Sequence, residues 1–250
     1  MFTKINKIKN DILNEENLKF ILQGGAFNFI SKFLIVFIGL AVNFIIAKFY
    51  GSSTLGIYSI IESVLNILIL ISFLGTNTYI LKLIPEHNGG SNPGIAGRIY
   101  KIVFQIGFTL SFLFALFMFI FSKQLSKVFF NDKSLFLLLA ICAPILIVFT
   151  IYELNKETIR AMGQIKYFNI LFVLPNTFNF ILLLTVTFLF SNIKFAPIYT
   201  RYTAIILSGI ISISLIRKFL FSENKKDDLQ IIKQENISEP EIIKQSFPIL

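Results

Sequence analysis

Residues 47–62 read AKFYGSSTLGIYSIIE. The apolar run FLIVFIGLAVNFIIA at 33–47 ends in this stretch, a few small residues follow, and a second apolar run begins at once with Glu62 inside it. Hydrocarbon about 30 Å thick takes ~20 helical residues to cross, so two such runs joined this tightly read as neighbouring membrane helices. YGSST is the expected turn between them, with Gly51 and Gly56 freeing the backbone and Ser52, Ser53 or Thr54 placed to cap the next helix.

The rest of the chain fits that reading. Its 250 residues are 55% hydrophobic and only 15% charged, with a mean hydropathy of +0.74; soluble domains carry about 25% charged residues. Apolar stretches at 20–49, 55–84, 98–121, 134–152, 167–190 and 197–220 give six expected spans. Helices are the element of choice because each backbone polar group in lipid must find its partner within its own segment. Barrel strands would be shorter and would alternate polar with apolar residues, which these stretches do not. The expected fold is all-α: a polytopic bundle of six transmembrane helices plus the start of a seventh. Residues 1–19 form a polar segment, 20–221 the bundle, 222–241 a cytoplasmic linker of mixed charge, and 242–250 the opening of another apolar segment. Nine residues cannot cross a bilayer, so the chain reads as a piece of a longer polypeptide.

The N-terminal segment MFTKINKIKNDILNEENLK is too polar for a cleaved signal. Ile5, Ile8 and Ile12 share a helical face among Lys4, Lys7 and Lys9, as an interfacial helix would; a solvated tail reads equally well. The net charge of +9 is spread over loops between spans, which fits membrane topology rather than nucleic acid. With the N-terminus in the cytoplasm, 16 Lys and Arg fall on the inner side and 6 on the outer, with Lys32 left inside a helix. The positive-inside rule therefore sets the N-terminus in the cytoplasm. A reporter enzyme that works only outside the cytoplasm is expected to be active when fused after Ser53 and silent after Asn92; the opposite pattern reverses the topology.

Phenylalanine is abundant, with 30 copies, and Trp is absent. Phe is expected chiefly on lipid-facing surfaces. An interfacial aromatic belt would fall to Tyr, and Tyr50, Tyr58, Tyr100, Tyr152, Tyr167 and Tyr199 lie near expected helix ends. The one Cys and one His, Cys142 and His87, form neither a disulfide nor a His/Cys metal cluster, and no cofactor or metal is called for.

Four stretches resemble one known group: GGAFNFISKFLIVFIGLAVNFIIAKFYGSSTLGIYSI, SFLGTNTYILKLIPE, ETIRAMGQIKYFNI and QSFPIL. They resemble helix one with its glycine turn and "GxY" entry to helix two, the end of helix two with its basic residue, an "RAxGxxK" connection between helices four and five, and the opening of helix seven. The group is the polysaccharide-exporter branch of the multidrug/oligosaccharidyl-lipid/polysaccharide flippase superfamily. The resemblance spans nearly the whole chain and is one of pattern, with no motif as sharp as a phosphate-binding loop. It implies two pseudo-symmetric six-helix halves around a central cavity, of which this chain resembles the N-terminal half. It also implies undecaprenyl-pyrophosphate-linked oligosaccharide as substrate, for O-antigen or capsule assembly in the bacterial inner membrane. Partners would be membrane lipids, a polysaccharide polymerase and other assembly proteins.

Charges within the spans are the candidate site. A mid-helix charge costs about 2.5–3.5 kcal/mol on insertion, so something must offset it. Lys32 either meets the substrate pyrophosphate in a hydrated cavity or snorkels to the inner headgroups. Glu62 is too short to snorkel as far and reads as cavity lining, with ion coupling as a further role. Helical rise separates the two by ~10 Å along the membrane normal, which argues against a direct pair. Arg201 sits near the outer end of span six as a cavity residue or headgroup anchor. Asn176 and Asn179 follow Pro175, whose missing N–H frees a carbonyl and favours a bend. Asn43, Asn66 and Asn77 suit interhelical hydrogen bonding. Glu153 and Glu157 beside Lys156 and Arg160 look like a solvated, ion-paired helix end.

Four functional readings follow, one of them a non-transporting membrane scaffold, which charges within the spans disfavour. A flippase for lipid-linked sugars leads. A drug or cation antiporter of the same superfamily would also use a buried acid. A membrane glycosyltransferase or polymerase needs outward carboxylates, and Asp132 is the only acid in any outward loop.

Overall fold

The computed structural model describes residues 15–73, 76–88, 93–131, 135–189 and 193–221. Residues 1–14 and 222–250, which hold most of the expected N-terminal segment, the linker and the start of a seventh helix, lie outside the described residues. Among the described residues all regular structure is helical: α1 (Glu15–Phe73), α2 (Thr76–Asn88), α3 (Pro93–Ile120), α4 (Ser122–Phe130), α5 (Phe136–Ala161), α6 (Ile165–Leu189) and α7 (Ala196–Ile216), closed by a π-helical turn at Arg217–Phe221. Among the described residues five stretches are long and apolar enough to cross a membrane. The first, Gly25–Phe73, is 49 residues long, about 74 Å of helix, which exceeds two membrane thicknesses.

That element is broken at one residue. Gly51 takes φ 84 and ψ 164, a region open in practice only to glycine. The stretch around it is not the multi-residue turn expected from YGSST: helix resumes at Ser52, and Gly56 is an ordinary helical residue. Contacts along α6 fix the course of the chain through this break. Phe49 meets Phe188 and the Tyr50 hydroxyl bonds Thr187 just before Gly51, and Tyr58 bonds Asn179 beyond it. As the position rises in α1 it falls in α6, so the limb after Gly51 runs antiparallel to α6. The "RAxGxxK" stretch is explained in the same terms. Gly163, at φ 74, turns the chain from α5 into α6, with its N–H bonded to the Arg160 carbonyl and that of Gln164 to Ile159. This is the left-handed helix ending that glycine supplies.

α5 is the core helix. Over its most apolar stretch 56% of residues are buried, against 22–39% for the other spans, and it packs on α1, α2, α3, α4, α6 and α7. Its contact with α7 runs over small residues: Ala204, Ser208, Gly209 and Ser212 are buried, and a Cβ on Gly209 would lie 3.0 Å from Val148 Cγ1. Small residues let membrane helices approach closely where no hydrophobic effect drives them together. The outer surface is apolar, with Phe29, Phe33, Phe37, Phe44, Phe119 and Phe188 all exposed, the surface expected of a phenylalanine-rich chain in lipid. The tyrosine belt is only partial. Tyr58, Tyr100 and Tyr152 are buried because their hydroxyls find interior partners, and Tyr199 remains exposed.

Pro175 sits inside α6 without ending it. The carbonyl it cannot serve is that of Leu171, four residues earlier, and this oxygen accepts a hydrogen bond from the Tyr152 hydroxyl of α5. Tyr152→Phe leaves it unsatisfied at a buried position, so a loss of about 1–3 kcal/mol is expected. Unfolding in mixed micelles checks this, and no change in midpoint would remove the pairing from the energetics.

Candidate functional site

Two ionised residues of the spans, Glu62 and Arg201, meet where α1, α6 and α7 come together. Arg201, five residues into α7, is turned into the bundle with a side chain only 8% exposed, while that of Glu62 is 20% exposed. The guanidinium grips the carboxylate with two bonds, Nε to Oε1 at 2.5 Å and Nη2 to Oε2 at 3.1 Å. Its third nitrogen, Nη1, donates to Asn176 Oδ1 at 3.2 Å, and the Phe149 ring of α5 lies 5.9 Å from the guanidinium carbon. Such paired, charge-assisted bonds are the strong kind, and the aromatic face adds attraction to the cation. The headgroup-anchor reading of Arg201 is therefore replaced: the side chain points inward because Glu62 and Asn176 supply acceptors that lipid cannot.

A neutral layer adjoins the pair. Asn179 Nδ2 donates to the Tyr58 hydroxyl at 3.2 Å, and Thr200 Oγ1 donates to Asn179 Oδ1 at 3.1 Å. One face of α6 thus presents Asn176 and Asn179 three residues apart, linking both neighbouring helices. Four of the five sequence candidates, Glu62, Arg201, Asn176 and Asn179, belong to this one network. Lys32 does not. It is exposed on the first limb of α1, beside the exposed Phe33 and near Phe29. Asn43 and Asn66 are also exposed, and the side chain of Asn77 lies outside the described residues.

Two further polar groups lie outside that network. Tyr100 donates to Asn155 Oδ1 at 2.7 Å and Asn155 Nδ2 donates to Ser212 Oγ at 3.0 Å, tying α3, α5 and α7 together at the end of the bundle away from Gly51. Near that end Lys156 is 6% exposed. Its ammonium lies 2.5 Å from Glu153, 3.7 Å from Glu157, 5.4 Å from the Phe172 ring and 5.9 Å from the Tyr152 ring. The expected ion pairing is there, but the expected solvation is not, since α6 covers this face of α5. Arg160 completes the group with Glu157 at 3.4 Å and stays half-exposed. Asn169, on α6, is buried with neither amide atom bonded.

The Glu62–Arg201 centre offers groups suited to recognition. A planar guanidinium has five N–H donors in a fork that suits carboxylates and phosphates. Three of its nitrogens are engaged here, while the carboxylate and the amides offer acceptors of the kind hydroxyls seek. No characterised protein and no solved structure matches the chain at a significant level. The family described as polysaccharide biosynthesis protein matches residues 21–246, which takes in every described element from the first limb of α1 to the closing π turn. The chain belongs to the polysaccharide biosynthesis protein family.

Proposed function

We propose that this membrane protein is a flippase that carries undecaprenyl-pyrophosphate-linked oligosaccharide units from the inner to the outer leaflet of the bacterial cell membrane, in O-antigen or capsule assembly. The observation that supports this most is the bidentate Glu62–Arg201 pair with its amide layer, held within the spans of a polysaccharide biosynthesis family member. A polar sugar head needs such groups along its route, while the polyprenyl tail stays in hydrocarbon. Glu62 accepts from sugar hydroxyls, Asn176 and Asn179 both accept from and donate to them, and Lys32, outside this network, attracts the pyrophosphate. Passage follows from rocking of two halves around the site, of which this chain supplies one. It breaks no covalent bond, so the protein acts as a transporter, with its N-terminus in the cytoplasm.

The alternative is an antiporter for drugs or cations. The pairing of Glu62 with Arg201 favours the sugar reading, because a neutralised carboxylate attracts a cation far less than a free one. Deleting the gene tests both. Accumulation of lipid-linked oligosaccharide on the cytoplasmic leaflet is the flippase outcome. Drug sensitivity with normal precursor distribution would overturn it.

A further inference from the structure

At the end of the bundle away from Gly51, the first turn of α6 and the π-helical turn after α7 come together. The Tyr167 and Phe219 rings pack with centroids 4.8 Å apart. Each ring has cationic neighbours in sequence, Lys166 on one side and Arg217 and Lys218 on the other, and all three are exposed. Lys218 Nζ also lies 5.7 Å from the Phe219 centroid. None of the ion pairs among the described residues involves any of the three.

The placement of Lys166 is electrostatically unfavourable on its own. A helix N-terminus carries about +0.5 charge, and acids in the first turn normally offset it. The first turn of α6 has no acid and holds Lys166 as its second residue. On the other element, five π-helical residues, RKFLF, widen the turn, and Arg217 and Lys218 are its first two residues. Positive potential from three side chains and a helix end thus gathers around one aromatic pair at the ends of two apolar helices.

We infer that this cluster is a binding site for the phosphate of an anionic phospholipid, with Lys166, Arg217 and Lys218 holding the phosphate and the Tyr167–Phe219 pair supporting the glycerol and upper acyl carbons. A phospholipid fits better than the polyprenyl substrate because the site lies on the outside of the bundle, remote from the Glu62–Arg201 centre. It is independent of the flippase reading.

The test is native mass spectrometry of the full chain released from mixed micelles of dioleoyl-phosphatidylglycerol and dioleoyl-phosphatidylcholine. The unaltered protein is expected to retain phosphatidylglycerol selectively. Each cation near the surface contributes about fivefold, so K166Q/R217Q/K218Q is expected to lose roughly 100-fold in apparent affinity. The charge-conserving K166R/R217K/K218R retains binding and shows that the site, not the fold, was altered. A charge-matched control at the opposite end, K123Q/K127Q/K194Q, is expected to change retention little. Equal losses in both Gln triples would mean diffuse attraction and overturn the proposal. So would unchanged retention in the first triple, or displacement of phosphatidylglycerol by equimolar undecaprenyl pyrophosphate.

Discussion

Glu62→Ala lowers the stability of the bundle by about 3–5 kcal/mol, the cost of leaving one member of a buried ion pair without its partner. The burden falls on Arg201. Its side chain is only 8% exposed, its Nε and Nη2 both lose their acceptor, and Asn176 remains as a single neutral contact through Nη1. Arg201 cannot shed its charge, because guanidinium stays protonated at any accessible pH. The helix around it must therefore rotate, admit water or unfold. Glu62→Gln keeps one acceptor for the guanidinium and is expected to lose less. Arg201→Ala is also milder, since a stranded carboxylate that is 20% exposed has some access to water. The measurement is denaturant unfolding in micelles of all three variants. An order other than Glu62→Ala as the most damaging would remove Arg201 from the role of buried, dependent cation.

The architecture was open to reading because lipid imposes simple rules. Apolar length marks a span, Lys and Arg mark loops, and a glycine between two greasy runs marks a break. Gly51, Pro175 and the RAMGQIK turn each behave as backbone chemistry requires, and the freed Leu171 carbonyl is where a missing proline N–H would place it. Pairing is a different kind of information. Whether Arg201 meets Glu62 or a headgroup depends on how far each helix is rotated about its axis, and apolar residues on all sides of a span leave that rotation unmarked. The clue available was energetic: an acid too short to snorkel needs a donor, and Arg201 was the cation in the outer part of a span. Lys156 shows the opposite difficulty. A run of alternating charges at 153–160 resembles a solvated helix end until α6 folds over it and sets Phe172 against the ammonium. Tyr58 and Tyr100 read as belt residues for the same reason that the ion pair is hidden: their interior partners lie more than fifty residues away in the chain.

Replacing both members of the pair by apolar residues, Glu62→Leu with Arg201→Met, separates what the pair does for the fold from what it does for the proposed transport. Apolar residues of similar volume in place of a buried ion pair are commonly neutral or stabilising by about 1–4 kcal/mol, and in a lipid-embedded bundle they also spare the insertion cost of two charges. The double variant is therefore expected to insert, fold and resist denaturant at least as well as the unaltered protein. Its transport is expected to collapse. With the guanidinium and carboxylate gone, the seam of α1, α6 and α7 keeps only Asn176, Asn179, Tyr58 and Thr200 to meet a polar head, and no charge-assisted bond remains. Losing even two such bonds, each worth about 1.5–3 kcal/mol, slows passage by roughly 100-fold or more. The readouts are the yield and unfolding midpoint of the purified double variant beside surface polysaccharide and inner-leaflet precursor in cells that carry it. A well-folded double variant that still exports normally would make the pair a purely structural bolt and move the substrate path elsewhere. Loss of both folding and export would show that the ionic contact specifies the packing of these three helices, as the single substitutions alone cannot.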